Sequence, residues 1–333
     1  MQIIYVDLGA KMVLYAPRNN VIFVLRTNII IEMKRTAICF LLGLGGVLLS
    51  CQKSEPDVLK PVDDVCSVME DDAFKEYCLE SFDTNGDGIL SMEEAAQVKS
   101  VVISFGRLTS IKGIEYFTHL EELACRDNKL TSLDVTRNTE LTKLSCGSNK
   151  LSSLDVSKCT KLVALNCTTN EITSLDVSHC PDLELLVCTA NKLSALDLSG
   201  NPKLIQLNCN INNLSSLVFS KNVKLRVLMC QANPFTSLDV SMLTVLESLY
   251  CGNSDLSSLD VTKNANLNNL NCEQAKLTSL DISKNGKLER LNCALNNLTA
   301  LDVTKNTALR SCICNPQAGG DITPAGWSGK TTY

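Results

Sequence analysis

The chain has 333 residues, of which 45% are hydrophobic and only 5% aromatic, and its formal net charge is −5. The acidic excess is local: residues 51–119 carry 14 acidic and 6 basic side chains, whereas residues 120–314 carry 19 of each. This balance argues against a nucleic-acid partner. The chain has two histidines and shows no nucleophile elbow, metal triad or phosphate loop, so we do not expect an enzyme.

The chain begins with residues that do not look like a protein start. We expect residues 1–32 to be an upstream extension that is not native. Residues 33–50 then read as a secretory signal, with a basic start at Met33-Lys34-Arg35 and an apolar run from Ala37 to Leu49. That run is too short to span a membrane.

The signal ends in Leu48-Leu49-Ser50-Cys51, which resembles the lipobox of bacterial lipoproteins. The resemblance implies cleavage before Cys51 and acylation of that residue, which would anchor the chain in a membrane. It also implies an outer-membrane location, with the cell surface favoured over the periplasm. An ordinary signal peptide with a chance cysteine is the alternative. Residues 51–65 are polar and contain two prolines, so they are predicted to form a flexible tether.

Residues 66–100 are predicted to form a small cap. A helix is expected from Asp71 or Asp72 to Phe82, and it leads into a stretch that fits the EF-hand calcium loop position by position. A single loop suggests a structural Ca²⁺ that fixes the cap onto the rest of the chain; an acidic turn without metal is the alternative. The predicted ligands are Asp83, Asn85, Asp87, the Ile89 carbonyl, Ser91 and Glu94.

Cysteines recur every 21 residues through the rest of the chain, at a period that indicates a solenoid of stacked units. Free buried thiols are the favoured interpretation, because stacked strands lie about 4.8 Å apart and disulfides need closer Cβ atoms. A metal ladder is the alternative. The ten positions are Cys125, Cys146, Cys167, Cys188, Cys209, Cys230, Cys251, Cys272, Cys293 and Cys314.

The stretch Leu120-x-x-Leu123-x-Cys125-x-x-Asn128-x-Leu130 resembles the leucine-rich-repeat signature, with Cys in place of one Leu. From Cys51 onward the chain resembles lipoproteins of Gram-negative bacteria that place an EF-hand-like loop ahead of short leucine-rich repeats. Its solenoid resembles the internalin type. The expected fold is therefore a repeat solenoid, mainly β with few helices. Residues 101–122 would be a capping repeat, 123–311 nine repeats, and 312–333 a C-terminal cap in which Trp327 covers the core.

Two further columns of polar residues accompany the repeats. An asparagine recurs three residues after most of the cysteines, and its buried amide is predicted to bond backbone groups of its own and the next repeat. Ser254 and Ala275 interrupt this column, so a looser turn is expected there. A column of aspartates is predicted to face solvent or to cap the following turns, rather than to form a calcium ladder, because stacked like charges repel.

Two pairs of cysteines stand outside the main column. Cys66 and Cys78 flank the start of the predicted helix, and a disulfide between them is possible in an oxidising compartment. Cys159 and Cys180 stand where Asn138 and Asn201 stand in other repeats. This second pair has two interpretations that the sequence does not separate: a disulfide, or two small residues in a buried column.

The outward residues of the repeated strand form the surface on which binding is expected. Most are small and polar, but the middle repeats present a cluster of apolar side chains that is a candidate interaction patch. The alternative is that these residue types arose by neutral sequence change on a surface that binds no partner. We expect a protein or glycan partner at the cell envelope; a structural stalk or an accessory subunit of an enzyme complex are the other possibilities. The patch comprises Leu185, Val187, Asn208, Val227, Met229, Gln231 and Tyr250.

Overall fold

A computed structural model describes residues 60–104 and 106–328, together with the backbone of four strands near the start of the chain. The chain divides into two compact units, Met1–Lys60 and Pro61–Tyr333. The predicted signal from Arg35 to Ser50, the anchor residue Cys51 and most of the tether lie outside the described residues. No helix among the described residues is long and apolar enough to cross a membrane.

The first unit contains an antiparallel sheet whose strands follow one another in chain order. Neighbouring strands pair in antiparallel fashion throughout. The strands are β1 (Ile3–Asp7), β2 (Lys11–Tyr15), β3 (Asn20–Val24) and β4 (Ile30–Lys34).

The second unit opens with the predicted cap. A short 3-10 helix spans Val65–Val68, and two α-helices follow, α1 (Asp72–Phe82) and α2 (Met92–Gln97). The prediction of α1 is confirmed together with its N-cap, because the Asp71 side chain accepts hydrogen bonds from the N–H groups of Ala73 and Phe74.

The rest of the unit is a parallel β-solenoid, as the 21-residue period predicts. Each coil contributes one three-residue strand, whose central residue, a leucine, valine or, in the last strand, Cys312, is buried and whose neighbours face outward. The described strands form one sheet of eleven in strict sequence order. They are β5 (Ser100–Val102), β6 (Glu122–Ala124), β7 (Lys143–Ser145), β8 (Ala164–Asn166), β9 (Leu185–Val187), β10 (Gln206–Asn208), β11 (Val227–Met229), β12 (Ser248–Tyr250), β13 (Asn269–Asn271), β14 (Arg290–Asn292) and β15 (Ser311–Ile313).

The two ends of the solenoid are closed by atypical coils. Strand β5 of the opening repeat pairs in register with β6, and the sheet continues to β15, one strand beyond the nine repeats. At the far end, the N–H of Val303 bonds to the Ala325 carbonyl, and the N–H of Ala325 bonds to the Leu301 carbonyl. Trp327 lies just beyond this pairing and is half-buried.

The wall opposite the sheet contains no strand among the described residues, where its pairing is limited to two isolated bridges, Asp134 with Asp155 and Asp302 with Ala325. The core between the two walls consists of leucines and cysteines that are almost completely buried.

Candidate functional site

The strand register brings the predicted patch together on the solvent side of the sheet. Val187, Asn208, Met229 and Tyr250 occupy one row across β9 to β12, because each is the register partner of the next. Leu185 and Val227 belong to the adjacent row, separated by Gln206. All of these side chains are half-buried. The patch is therefore a surface in which Asn208 and Gln206 alternate with apolar side chains on neighbouring strands, and only Met229 and Tyr250 are apolar partners at the strand spacing of about 4.8 Å.

Polar side chains fix the edges of this patch. Asn208 Oδ1 accepts a hydrogen bond from Thr189 Oγ1 at 2.7 Å, and the Tyr250 hydroxyl accepts one from Asn269 Nδ2 at 2.8 Å. Gln231 lies two residues after Met229, and its backbone N–H donates to Asn210 Oδ1 at 2.8 Å. These bonds between neighbouring coils orient the side chains before any partner arrives, which lowers the entropy cost of binding.

One exposed apolar side chain beside the patch was not predicted. Ile211 is 57% exposed and lies in the turn that follows β10. Its φ is +55°, and every coil from Asp127 to Leu295 has a non-glycine residue in this left-handed conformation at the same position. The left-handed region is disfavoured for β-branched residues, so the repeat geometry imposes it on Ile211. The sequence signal that could have shown this side chain is the residue two positions after each column cysteine, which is Ile211 after Cys209.

The asparagine column forms the predicted hydrogen-bond ladder, but in the opposite direction. Asn149 Nδ2 donates to the carbonyls of Cys146 and Gly147 in its own coil and to that of Cys125 in the preceding coil, at 3.0–3.2 Å. Its Oδ1 accepts the N–H of Leu130, also in the preceding coil, at 3.0 Å. The expected bonds to the next coil are wrong, because the amide fills the turn of the coil before it. The same pattern recurs at Asn128, Asn170, Asn191, Asn212, Asn233 and Asn296.

The ladder is interrupted at Ser254 and Ala275. Ser254 retains one bond, from its hydroxyl to the Cys251 carbonyl at 2.8 Å, and Ala275 can make none with its side chain. The turns there keep their left-handed residue, with φ of +51° at Asn253 and +54° at Gln274. The backbone of Glu273 also lies so close to Gly252 that a Cβ there would sit 2.3 Å from the Glu273 oxygen. The turns therefore keep their backbone conformation where the ladder is interrupted, and their looser packing stays a prediction.

The predicted calcium loop forms a network of internal hydrogen bonds. The N–H groups of Gly86 and Gly88, both at positive φ, donate to the two carboxylate oxygens of Asp83 at 2.8 and 2.9 Å. Asn85 Oδ1 accepts the N–H of Asp87, and Asp87 Oδ1 accepts the N–H of Ile89. The side-chain oxygens of the loop thus accept hydrogen bonds from its own backbone.

Glu94 closes the loop from the other side. Its Oε1 accepts from the backbone and hydroxyl of Thr84, and its Oε2 accepts from the backbone and hydroxyl of Ser91. These bonds lower the pKa of the Glu94 carboxyl to about 2, the Thr84 hydroxyl contributing most. Ser91 and Glu94 also form a capping box at the start of α2. Glu94 is therefore ionised at neutral pH.

The donor set of this loop fits Ca²⁺, since it offers carboxylate, amide, hydroxyl and carbonyl oxygens and no nitrogen or sulfur. Each ionised carboxylate has about four lone-pair sites, so the internal bonds leave capacity for a metal. Within the described residues, however, no three His, Cys, Asp or Glu side chains are gathered in a group that could hold a metal ion. Calcium binding remains a prediction.

The cysteine column consists of free, buried thiols, as predicted. Burial raises the pKa of the Cys125 and Cys167 thiols to about 12, so they stay protonated at neutral pH. Cys66 and Cys78 are also buried and unpaired in this structure.

Cys159 and Cys180 are likewise free thiols. They belong to a second column in which buried asparagines donate to carbonyls one coil earlier, as Asn138 does to Ile114 and Phe117 at 2.9 and 3.0 Å. Cys159 Sγ contacts the Val135 carbonyl in the corresponding way at 3.6 Å. These two cysteines therefore replace an amide donor with a weaker thiol donor.

The aspartate column caps turns, as predicted. Each Asp accepts the N–H of the residue two positions later, for example Ser199 to Asp197 and Ser283 to Asp281, at 2.8–2.9 Å. These backbone and hydroxyl bonds lower the pKa of the aspartates. Val218 stands at this position in one coil, where it is 70% exposed and caps nothing.

Taken together, these features define a leucine-rich-repeat solenoid whose coils are filled by leucine and a cysteine ladder. No protein-family model and no curated protein matches the chain. Among solved structures, the functional domain of InlJ from Listeria monocytogenes, described as including a cysteine ladder, is 34% identical with a TM-score of 0.74. That match covers 79% of this chain and 61% of InlJ's, so this chain spans less than two thirds of the relative's length.

Two further solved structures share the fold. An internalin, InlF, from Listeria monocytogenes is 18% identical over 81% of this chain and 99% of its own, with a TM-score of 0.55. The FLRT2 leucine-rich repeats, solved in an octameric complex with latrophilin 3 and Unc5D, are 17% identical over 66% of this chain and 76% of the other, with a TM-score of 0.56. Its structural neighbours are thus internalin-like and other leucine-rich-repeat proteins.

Proposed function

We propose that this protein is a recognition module of the cell envelope that binds a macromolecular partner through the patch on its sheet. The observation that carries the proposal is the in-register row of Val187, Asn208, Met229 and Tyr250, which lies beside the row of Leu185 and Val227. Apolar side chains grouped on an otherwise polar face are typical of an interaction surface. The FLRT2 repeats, which share the fold, occur in a multiprotein complex, and this favours a protein partner over a glycan.

The protein acts at a membrane through a lipid anchor on Cys51, with residues 51–65 as the tether. The support is the lipobox-like stretch Leu48–Cys51, preceded by a basic and apolar signal. The anchor would hold the solenoid at the outer membrane, facing the cell exterior. Protease treatment of intact cells, with a periplasmic protein as control, tests this location: loss of the solenoid places it outside, whereas protection places it in the periplasm.

The calcium loop would lock the cap onto the solenoid. Leu90, at loop position 8, is fully buried, and its carbonyl accepts the N–H of Val65 at 2.8 Å. The cap in turn bonds the opening repeat, because Asp71 accepts the N–H of Thr109 at 2.8 Å. An ordered loop would therefore stabilise the end of the solenoid, and Ca²⁺ supplies the positive charge that orders it.

Site-specific photo-crosslinking in intact cells tests the binding face. A benzophenone amino acid at position 229 lies in the patch, and one at position 145 lies on the same face of β7, outside it. We expect a discrete adduct with one envelope protein from position 229 that is absent from position 145. The variant Tyr250→Ala should then weaken binding of the identified partner by at least tenfold, because large central aromatic side chains dominate interface energy.

The structural-stalk alternative predicts the opposite result. A solenoid without a dedicated ligand would give no discrete adduct from either position, or the same diffuse adducts from both. That result would remove the patch as a binding site.

A further inference from the structure

The interruption of the asparagine ladder creates an open groove at the edge of the sheet. The groove has a volume of about 460 Å³ and crosses three successive turns, 232–234, 253–255 and 274–276. Ser254 and Ala275 lie at its centre, where intact coils place an asparagine side chain. A volume of this size is within the usual range of ligand sites, about 300–1,000 Å³.

Some of the backbone groups that are paired elsewhere in the ladder are unpaired at this groove, although the N–H of Ser254 still bonds the Gln274 carbonyl at 3.2 Å. In the coils before it, the N–H of each ladder asparagine bonds the carbonyl of the next turn, as Asn191 does with Ile211 at 3.2 Å. Among the described residues, the corresponding bonds from Asn233 to Asn253 and from Ala275 to Leu295 are not formed. Two N–H donors, on Asn233 and Ala275, and one carbonyl acceptor, on Asn253, thus lie unpaired in residues that line the groove. Asn233 and Ala275 are buried residues, where unpaired backbone groups are rare and costly, whereas Asn253 is exposed.

The chemistry of the lining points to a peptide. A peptide main chain carries both acceptors and donors, and so matches unpaired groups of both kinds. Asp255 and Lys276 form an ion pair at 2.7 Å across the rim, so the groove favours neither a cation nor an anion. No aromatic ring lines it on which a sugar could stack.

The groove also continues the patch on the sheet. Tyr250 is the last residue of β12 and is followed by Cys251, Gly252 and then Asn253 in the groove; Met229 likewise precedes Asn233 by four residues. A segment whose side chains cover Met229 and Tyr250 would therefore reach the groove with its next residues. The two features form one extended surface.

We propose that this groove binds an extended peptide segment of the protein partner, whose main-chain groups pair with those of Asn233, Asn253 and Ala275. The inference rests on the proposed function, and it specifies a flexible strand or tail as the part of the partner that is bound. The two interruptions of the ladder then mark the binding site, since Ser254 and Ala275 both line the groove.

The test uses a variant in which asparagine is restored at Ser254 and Ala275, the two interrupted positions of the ladder. Phage-displayed random heptapeptides are selected on the full chain, and the enriched peptides are synthesised and measured by fluorescence anisotropy. We expect the double variant Ser254→Asn/Ala275→Asn to weaken binding at least tenfold, because it places larger polar side chains at two residues that line the groove. Ala190→Asn adds an amide to a turn three coils earlier and should bind as the wild type does.

Hydrogen exchange provides a second readout, because bound peptide should slow exchange at the N–H of Ala275 and leave that of Asn191 unchanged. If no heptapeptide is enriched, if enriched peptides bind the double variant within twofold of wild type, or if only oligosaccharides compete, the inference is wrong. A further outcome is that the crosslinked partner binds the double variant normally but binds the Tyr250→Ala variant weakly. That result would support binding at the patch on the sheet and would overturn peptide binding in the groove.

Discussion

The side-chain oxygen of Asn296 accepts the backbone N–H of Leu277 at 3.0 Å. One coil earlier the equivalent pair is Ala275 and Leu256, and among the described residues the N–H of Leu256 has no acceptor. Leu256 is completely buried, so this lost bond is not replaced by contact with bulk solvent. The repeat therefore tolerates a local defect where the groove opens.

Ala275→Asn should stabilise the solenoid, because its Oδ1 would accept the N–H of Leu256. Satisfying a buried donor is worth about 1 kcal/mol, which corresponds to a rise in Tm of roughly 2–4 °C for a unit of this size. Ser254→Asn should gain less, since the N–H of Phe235 already bonds the Asn233 carbonyl at 2.8 Å and Ser254 already bonds Cys251. Thermal unfolding followed by circular dichroism compares the two. Equal gains, or a loss with Ala275→Asn, would contradict this account of the defect.

Removal of an intact ladder asparagine should have the reverse effect. Asn191→Ala deletes donors to the carbonyls of Cys167, Cys188 and Thr189 and the acceptor of the Ile172 N–H. We expect a loss of about 2–3 kcal/mol in the free energy of unfolding, because buried backbone groups are left unsatisfied. Urea titration measures it. Asn213→Ala, at an exposed position of the next coil, is the matched control and should change stability by less than about 0.5 kcal/mol.

The regular part of this architecture could be predicted from the sequence because each coil repeats the same environment. The Cys125 column and the Asn149 column follow directly from the 21-residue period. The direction of the Asn149 bonds could not be read, because the period is the same whichever neighbour the amide reaches. Gln317 was missed as the last member of the ladder: its amide, one methylene longer, bonds Cys293 and Leu298 as an asparagine would.

The groove also could not be predicted from the repeat pattern of the sequence. Ser254 and Ala275 predict a gap in the ladder, but whether the chain collapses into the gap depends on packing between coils. The close approach of Glu273 to Gly252 keeps the turns in place and leaves the space open. The repeated residues of each coil agree with one another and therefore predict the fold. Interruptions of the repeat, such as Ser254 and Ala275, are the places where functional sites are expected.

Relief of backbone strain at Ile211 should raise stability. A β-branched residue in the left-handed region is strained, whereas asparagine tolerates this conformation and already occupies it at Asn253. Ile211→Asn is therefore expected to stabilise the protein by about 1 kcal/mol, although it removes an exposed apolar side chain. Ile205→Asn is the control, since Ile205 is also exposed but is not among the residues at positive φ. If chemical denaturation gives both variants the same free energy of unfolding, Ile211 is not strained.

The aspartate column should make stability fall in acid. Asp176, Asp197 and Asp281 have a lowered pKa in the folded state because backbone and hydroxyl groups donate to their carboxylates. Their contribution is therefore present above the unfolded pKa, about 3.9, and is lost as the pH falls through the lower folded value. Asp281→Ala should lower Tm at pH 7 and converge toward wild type at about pH 2. Asp281→Asn keeps an acceptor for Ser283 and should lose less at pH 7; an Ala variant equally destabilised at both pH values would contradict the assignment.

Calcium should stabilise the cap if the loop from Asp83 to Glu94 binds it. Binding to the folded state alone adds about 2.7 kcal/mol at a free concentration 100 times the Kd, so Tm should rise with Ca²⁺ and return with a chelator. Asp87→Ala removes a predicted ligand and should abolish the rise. Asp72→Ala is the control, because Asp72 lies in the first turn of α1, outside the loop, and should leave the response intact. Isothermal titration of the full chain measures binding itself; absence of heat and of any shift in Tm with wild-type protein would show that the loop is an acidic turn held by its own hydrogen bonds.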